Sequence, residues 1–184
     1  MSRVCHVIAA IGKDSLGNLY LLKGNVMKLR AILAACSIAF LAGQADASNA
    51  CQTPVNVNAL ASEIAAGVNA NRRAHGAPPL AFNRRLSRAA MKHACDMSLN
   101  GFFDHKGSDG STVQKRARAA GYRDCLIAEN LAWGYPRSSQ IVNGWMNSSG
   151  HRRNMLHPRA AEFGVGISQG PKGPNWVLVV ARGC

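Results

Sequence analysis

Three segments, 101-GFFDH-105, 128-AENLAWGY-135 and 141-IVNGWMNSSGHRRNML-156, decide how this chain is read. They carry His105, Glu129 and His151, in stretches with the character of a loop, a strand and a helix start. Two imidazoles and a carboxylate drawn from three separate elements form a plausible set of ligands for a divalent cation such as zinc. Everything around them then has the task of bringing the three together.

Outward from that stretch, the elements follow from periodicity. Before it, Leu60, Ile64, Ala65 and Val68 recur as one helical face from about Asn58 to His75-Gly76, ahead of Pro78-Pro79. Asn83 is a good N-cap for a second helix, with Leu86, Ala89, Ala90, Ala94, Met97 and Leu99 on its face and Gly101 at its end. His93 lies inside that helix and reads as a solvated or packing residue. A loop over 102–111 is anchored by Phe102-Phe103, and a short helix runs from about Thr112 to Ala120.

Leu126 to Trp133 reads as a strand with Glu129 and Leu131 on one face and Ala128, Asn130 and Ala132 on the other. Ser138 or Ser139 is expected to cap a helix bearing Ile141, Val142, Trp145 and Met146, and Ser148-Ser149-Gly150 to restart a short helix with His151 in its first turn. Glu162 to Ser168 and Asn175 to Ala181 are two strands joined by the turn-rich GPKGP link, a hairpin. The sum is an α+β layered fold with a small antiparallel sheet and no internal repeat.

The N-terminal region reads differently. Met27 opens a basic start (Lys28, Arg30), an apolar run from Ala31 to Gly43 and an A-x-A site at Ala45-Asp46-Ala47, so 27–47 is expected to be a cleaved signal peptide. The apolar run is too short to span a bilayer, which argues against an anchor. Residues 1–26 form an extension without a recognisable pattern, 48–57 a loose lead-in and 58–184 the domain. A lipid-acylation box at Leu33-Ala34-Ala35-Cys36 is disfavoured because most of the apolar run follows the cysteine.

Charge and cysteines narrow the function. The chain has 22 basic and 9 acidic residues; cleavage after Ala47 removes five of the first and two of the second, leaving 17 against 7, a net of +10. Such an excess favours anionic partners, an envelope polymer or acidic lipid. Nucleic acid is disfavoured, since no binding motif accompanies the charge and the basic residues are spread along the chain. Cys51, Cys95, Cys125 and Cys184 remain, an even count that argues for two disulfides in an exported, monomeric protein. Three connectivities exist; antiparallel pairing of the strands at Leu126 and Arg182 favours Cys125 with Cys184 and Cys51 with Cys95.

With Asn71, Pro78 to Leu80, FFDH, AENLAW, GWMNSSGHRRNML, FGVGIS and WVLVVAR in this order, the chain resembles the CAP superfamily. This is the SCP-like domain of cysteine-rich secretory proteins, antigen 5 and plant pathogenesis-related proteins, and the likeness is strongest to its bacterial branch. The resemblance implies an α-β-α sandwich with a central cleft lined by two histidines and two glutamates that hold a divalent metal. Three of the four positions carry over as His105, Glu129 and His151; the second glutamate falls on Ser148. Sterol binding does not carry over, because the aromatic-rich loop has no counterpart.

On chemistry alone, His105, Glu129 and His151 with a water meet the count of a catalytic Zn²⁺ site. The competing account is a hydrogen-bonded cleft in which Glu129 orients one or both imidazoles and no metal is held. A serine-nucleophile site at Ser148 or Ser149 with His151 is disfavoured: both are better explained as caps, and the G-x-S-x-G elbow is absent. Trp133, Trp145 and Trp176 read as core or cleft lining, Arg152 and Arg153 as a solvated face, and His157 as a loop residue. The function expected is an exported binding module with a His/Glu cleft; the alternative is a metal-dependent hydrolase of an envelope substrate.

Overall fold

A computed structural model describes residues 11–13, 19–21 and 50–184, in two separate units. In the first, β1 (Ile11–Lys13) pairs antiparallel with β2 (Leu19–Leu21), Gly12 opposite Tyr20. Both strands fall within the extension 1–26; three-residue strands are too short to show a period of two. The signal-peptide assignment, 27–47, lies outside the described residues.

The second unit begins with a tethered segment. Cys51 is bridged to Cys95, and the Gln169 amide donates to the Gln52 carbonyl at 2.7 Å, so this lead-in is fastened to the fold. Helix α1 (Val57–Ala74) buries Leu60, Ile64, Val68 and Arg72, one residue per turn. Arg72 is fully buried and gives its guanidinium to the carbonyls of Pro78, Met155, His157 and Ala160 at 2.7–3.3 Å. It ties α1 to two distant loops without a carboxylate partner.

Strand β3 (Ala81–Phe82) follows, then α2 (Arg84–Asn100), capped by Asn83 Oδ1 accepting from the amides of Arg85 and Leu86. Gly101 closes α2 at φ +67°, the left-handed conformation a helix terminator needs. Next come α3 (Val113–Ala119), β4 (Asp124–Trp133), α4 (Ser138–Asn147), α5 (Ser149–Met155), β5 (Glu162–Gly170) and β6 (Gly173–Gly183). Ser138 does not cap α4 as expected. Arg137 holds the N-cap position, and the Ser138 hydroxyl donates to Glu63 on α1.

The sheet order is β3-β5-β6-β4. The hairpin pairs Glu162 with Ala181 through Gly170 with Gly173, and β4 pairs antiparallel with β6. Short β3 runs parallel to β5, so the sheet is mixed where an antiparallel one was expected. Two residues before a helix cap leave no alternation to read.

Helices cover both faces. Trp176, Leu178 and Val180 pack with α1, α4 and Met155 of α5; Val177, Val179 and Ala181 pack with α2 and Ala117 of α3. The β6 run WVLVVA is apolar at every position because it is the interior strand of a covered sheet. On the second face α2 lies directly on β5: a Cβ added at Gly164 or Gly166 would come within 2.2 or 2.3 Å of its backbone. Both expected disulfides, Cys51–Cys95 and Cys125–Cys184, are present. The architecture is the expected α-β-α sandwich.

Candidate functional site

Glu129 stands at the centre. It lies on the α2-facing side of β4, its side chain 3% exposed, opposite Val179. Both carboxylate oxygens are engaged. His105 Nδ1 donates to Oε1 at 2.9 Å, and Arg116 on α3 donates to Oε2 at 2.8 Å.

Arg116 is as buried as its partner. One guanidinium nitrogen donates to the Ser111 carbonyl at 2.7 Å; the other, besides serving Glu129, donates to the His105 carbonyl at 3.1 Å. One guanidinium thus holds both the carboxylate and the backbone of the residue that the carboxylate orients. The pattern KRARA shows no sign of this, because basic residues in a short helix look like a solvated face.

A third imidazole sits behind the first two. His93, fully buried on α2, donates Nε2–H to the Asp104 carbonyl at 2.9 Å, and Nε2 lies 3.9 Å from Glu129 Oε1. Its Nδ1 is buried with no partner. Burial holds the His93 pKa below its ordinary value. His93 falls on the helical stripe of Leu86, Ala89, Ala90 and Met97, so the period of α2 was the signal that assigned it to the interior.

His151 comes from the opposite direction. It lies in the first turn of α5, which is strapped to β4: Asn130 Nδ2 donates to the His151 carbonyl at 3.0 Å, and Asn154 Nδ2 to the Glu129 carbonyl at 3.3 Å and Asn130 Oδ1 at 2.9 Å. Neither asparagine was singled out from sequence. Burial first, and then the nearby charge of His105, hold the His151 pKa low, whereas the hydrogen bond to Glu129 raises that of His105. The two shifts run in opposite directions.

Ser148 occupies the N-cap of α5 in an extended conformation, but its hydroxyl makes no capping bond; the Ser148 carbonyl accepts from the Arg152 amide at 2.8 Å. Among the described residues no hydrogen bond joins Ser148 or Ser149 to the His151 ring. Arg152 and Arg153 are exposed, as expected. Trp145 and Trp176 are core residues; Trp133 is not, being 45% exposed beside Phe103.

As a metal centre the set fits poorly. Each Glu129 oxygen already accepts a hydrogen bond, and the buried Arg116 guanidinium at 2.8 Å from Oε2 sets a positive charge where a cation would have to approach. Among the described residues no group of three His, Cys, Asp or Glu is placed to hold a metal ion. His105 and His151 alone supply two nitrogens, short of the three protein ligands of a catalytic zinc site. What the arrangement does is orient: Glu129 fixes the ring of His105 beside a cleft of about 390 Å³, whose lining includes Lys106, Thr112, Val113 and Gln114.

Known proteins with this geometry share the fold. The Bacillus subtilis uncharacterised protein YkwD is 32% identical over 113 residues, 61% of this chain and 44% of its own length. The uncharacterised membrane protein YlbC of the same species is 29% identical over 101 residues, 55% of this chain and 29% of its own. The chain thus spans less than half the length of these curated relatives. Among solved structures, an extracellular protein containing a SCP domain from Bacillus anthracis superposes with TM-score 0.63 at 27% identity, over 68% of this chain and 41% of that one. An outer surface protein from Borrelia burgdorferi has the same fold, with TM-score 0.66 at 17% identity, over 73% of this chain and all of that one. The model of the cysteine-rich secretory protein family matches residues 66–181. With the three-layer sandwich already in place, the chain belongs to the CAP, or cysteine-rich secretory protein, family.

Proposed function

We propose that this CAP-domain protein is an exported, monomeric binding module, secreted or periplasmic, that recognises an anionic envelope component or lipid through the cleft edged by His105 and His151 and through its basic surface. The observation that carries it is the engagement of Glu129. With one oxygen accepting from His105 and the other from the buried Arg116 guanidinium, the carboxylate is better placed to orient His105 than to hold a cation, and Ser148 stands where the family's second glutamate would be. Two disulfides suit an oxidising compartment. Among the described residues no helix is long and apolar enough to cross a membrane.

The test is calorimetric titration of Zn²⁺ into the oxidised protein, beside His105→Ala/His151→Ala at matched pH. The expected result is no site tighter than roughly micromolar in either protein, with both equally folded, the parent retained by vesicles of anionic but not zwitterionic lipid and the double variant retained less. A micromolar or tighter site that vanishes in the double variant would reverse the reading in favour of a metal centre. The alternative, hydrolysis, has one observation in its favour: the proton affinities of His105 and His151 are pushed apart, as in an acid and base pair. Turnover of an envelope glycan, peptide or phosphodiester that both imidazoles are needed for would establish it.

A further inference from the structure

Between the C-terminal end of α2 and the β5–β6 turn runs a groove with a cavity of about 220 Å³, lined chiefly by Met97, Phe102, Phe103, Trp133, Lys172 and Asn175. Its walls are held in place. The Gly134 amide donates to the Pro174 carbonyl at 3.0 Å, and Trp176 Nε1–H to the Tyr135 carbonyl at 3.0 Å, so the chain leaving β4 is fixed against the turn.

Two features are out of keeping with a bare surface. Trp133 and Phe103 leave nearly half their area open, with ring centres 6.0 Å apart, although the same fold buries Trp145 and Trp176 completely. Asn175 is the reverse case: the residue is 7% exposed, and its side-chain amide, bonded by no described residue, keeps its contact with solvent through the groove. A ligand that covered it without pairing it would bury an amide unpaired, which is unfavourable. Gly170 keeps that amide open to the groove, since a Cβ there would lie 2.9 Å from Asn175 Nδ2. At the rim, Lys172 Nζ lies 5.6 Å from the centre of the Trp133 ring.

A half-exposed indole, a cation that rests over its ring and can turn to an anionic group, and an amide with donors and an acceptor together describe a ligand. The C–H face of a pyranose carries partial positive charge and packs on the negative face of an indole. Its hydroxyl or acetamido groups satisfy an amide on both sides, and a carboxylate substituent meets the ammonium. A hydrocarbon chain would cover Trp133 and leave Asn175 unpaired. We infer that this groove is a saccharide subsite for a pyranose that bears a carboxylate, built from Trp133, Asn175 and Lys172. It is independent of the His105 and His151 reading and uses none of the same side chains.

The experiment titrates the full oxidised chain with N-acetylglucosaminyl-N-acetylmuramic acid, and with the neutral disaccharide di-N-acetylchitobiose, following tryptophan emission and heat. Trp133 is the exposed indole, so its emission reports the groove while Trp145 and Trp176 stay silent. The acidic disaccharide should bind, Trp133→Ala should weaken it at least about tenfold, and Trp133→Tyr should restore most of the affinity. Lys172→Gln should bring the acidic sugar down to the neutral one without changing the latter, and His105→Ala/His151→Ala should bind as the parent does. Circular dichroism confirms that each variant is folded. The inference is overturned if neither sugar binds at about 10 mM, if Trp133→Ala binds sugar as well as the parent, or if the groove takes palmitate and no saccharide.

Discussion

Replacing Arg116 with methionine is the sharpest probe of the cleft. The substitution keeps the apolar stem and deletes a guanidinium 1% exposed, together with its bonds to the Ser111 and His105 carbonyls and to Glu129 Oε2. Glu129, 3% exposed, is then left with His105 as its one hydrogen-bond donor. Removing one partner of a buried ion pair costs about 3–5 kcal/mol, against about 0–1 kcal/mol for a pair in solvent. Glu129→Gln should be costly in its turn, because it strands the guanidinium, and the double variant should lose less than the sum by at least about 1 kcal/mol. The positive charge of Arg116 also opposes protonation of His105, so its removal should move the His105 titration to higher pH. Urea unfolding of the oxidised protein measures the first effect and proton NMR of the His105 ring the second. A loss below about 1 kcal/mol with an unchanged His105 titration would refute the view that Arg116 and Glu129 form one buried unit.

Two further outcomes follow from the fold. His93 and His151 bind protons less readily folded than unfolded, so the unfolded state takes up protons first and stability should fall as pH drops below about 6.5. His105 acts oppositely: its raised pKa contributes stability below about pH 6.5, lost as pH rises through the folded value. His93→Phe removes one of the groups that favour the unfolded state in acid, so its melting midpoint should fall less than the parent's between pH 7 and 5; a midpoint that falls as much or more is the contrary result. Gly166→Ala should cost about 1–3 kcal/mol or more, because its Cβ would meet the α2 backbone at 2.3 Å. Gly144→Ala, in helix α4 with nothing within 4 Å, should instead stabilise by about 0.4–1 kcal/mol. Urea midpoints that move alike in the two variants would show that β5 is not in direct contact with α2.

Much of the cleft was legible because its residues sit in local contexts that one segment can specify. Glu129 shares a strand face with Leu131, and His151 follows a helix restart, so the direction of each side chain follows from the period of its own element. Arg116 and Asn154 were not legible. Their partners are 13 and 25 residues away, and nothing in their own helices distinguishes an arginine that pairs inward from one that faces water. Trp133 takes the second of the two places expected for it, lining a groove, because it ends β4, where helix cover stops.

The sequence by itself determined the helices, the three long strands, the hairpin and the family, and favoured the disulfide pairing found, because periodicity, caps and strand direction are properties of short stretches; the two-residue β3 escaped it. Only the tertiary structure decided what the cleft is made of. Whether Glu129 is a free ligand or an engaged anchor depends on a guanidinium delivered by another helix and on burial that raises the cost of leaving either charge alone. Charge pairing in an interior is set by which elements are packed together, and no single segment encodes that.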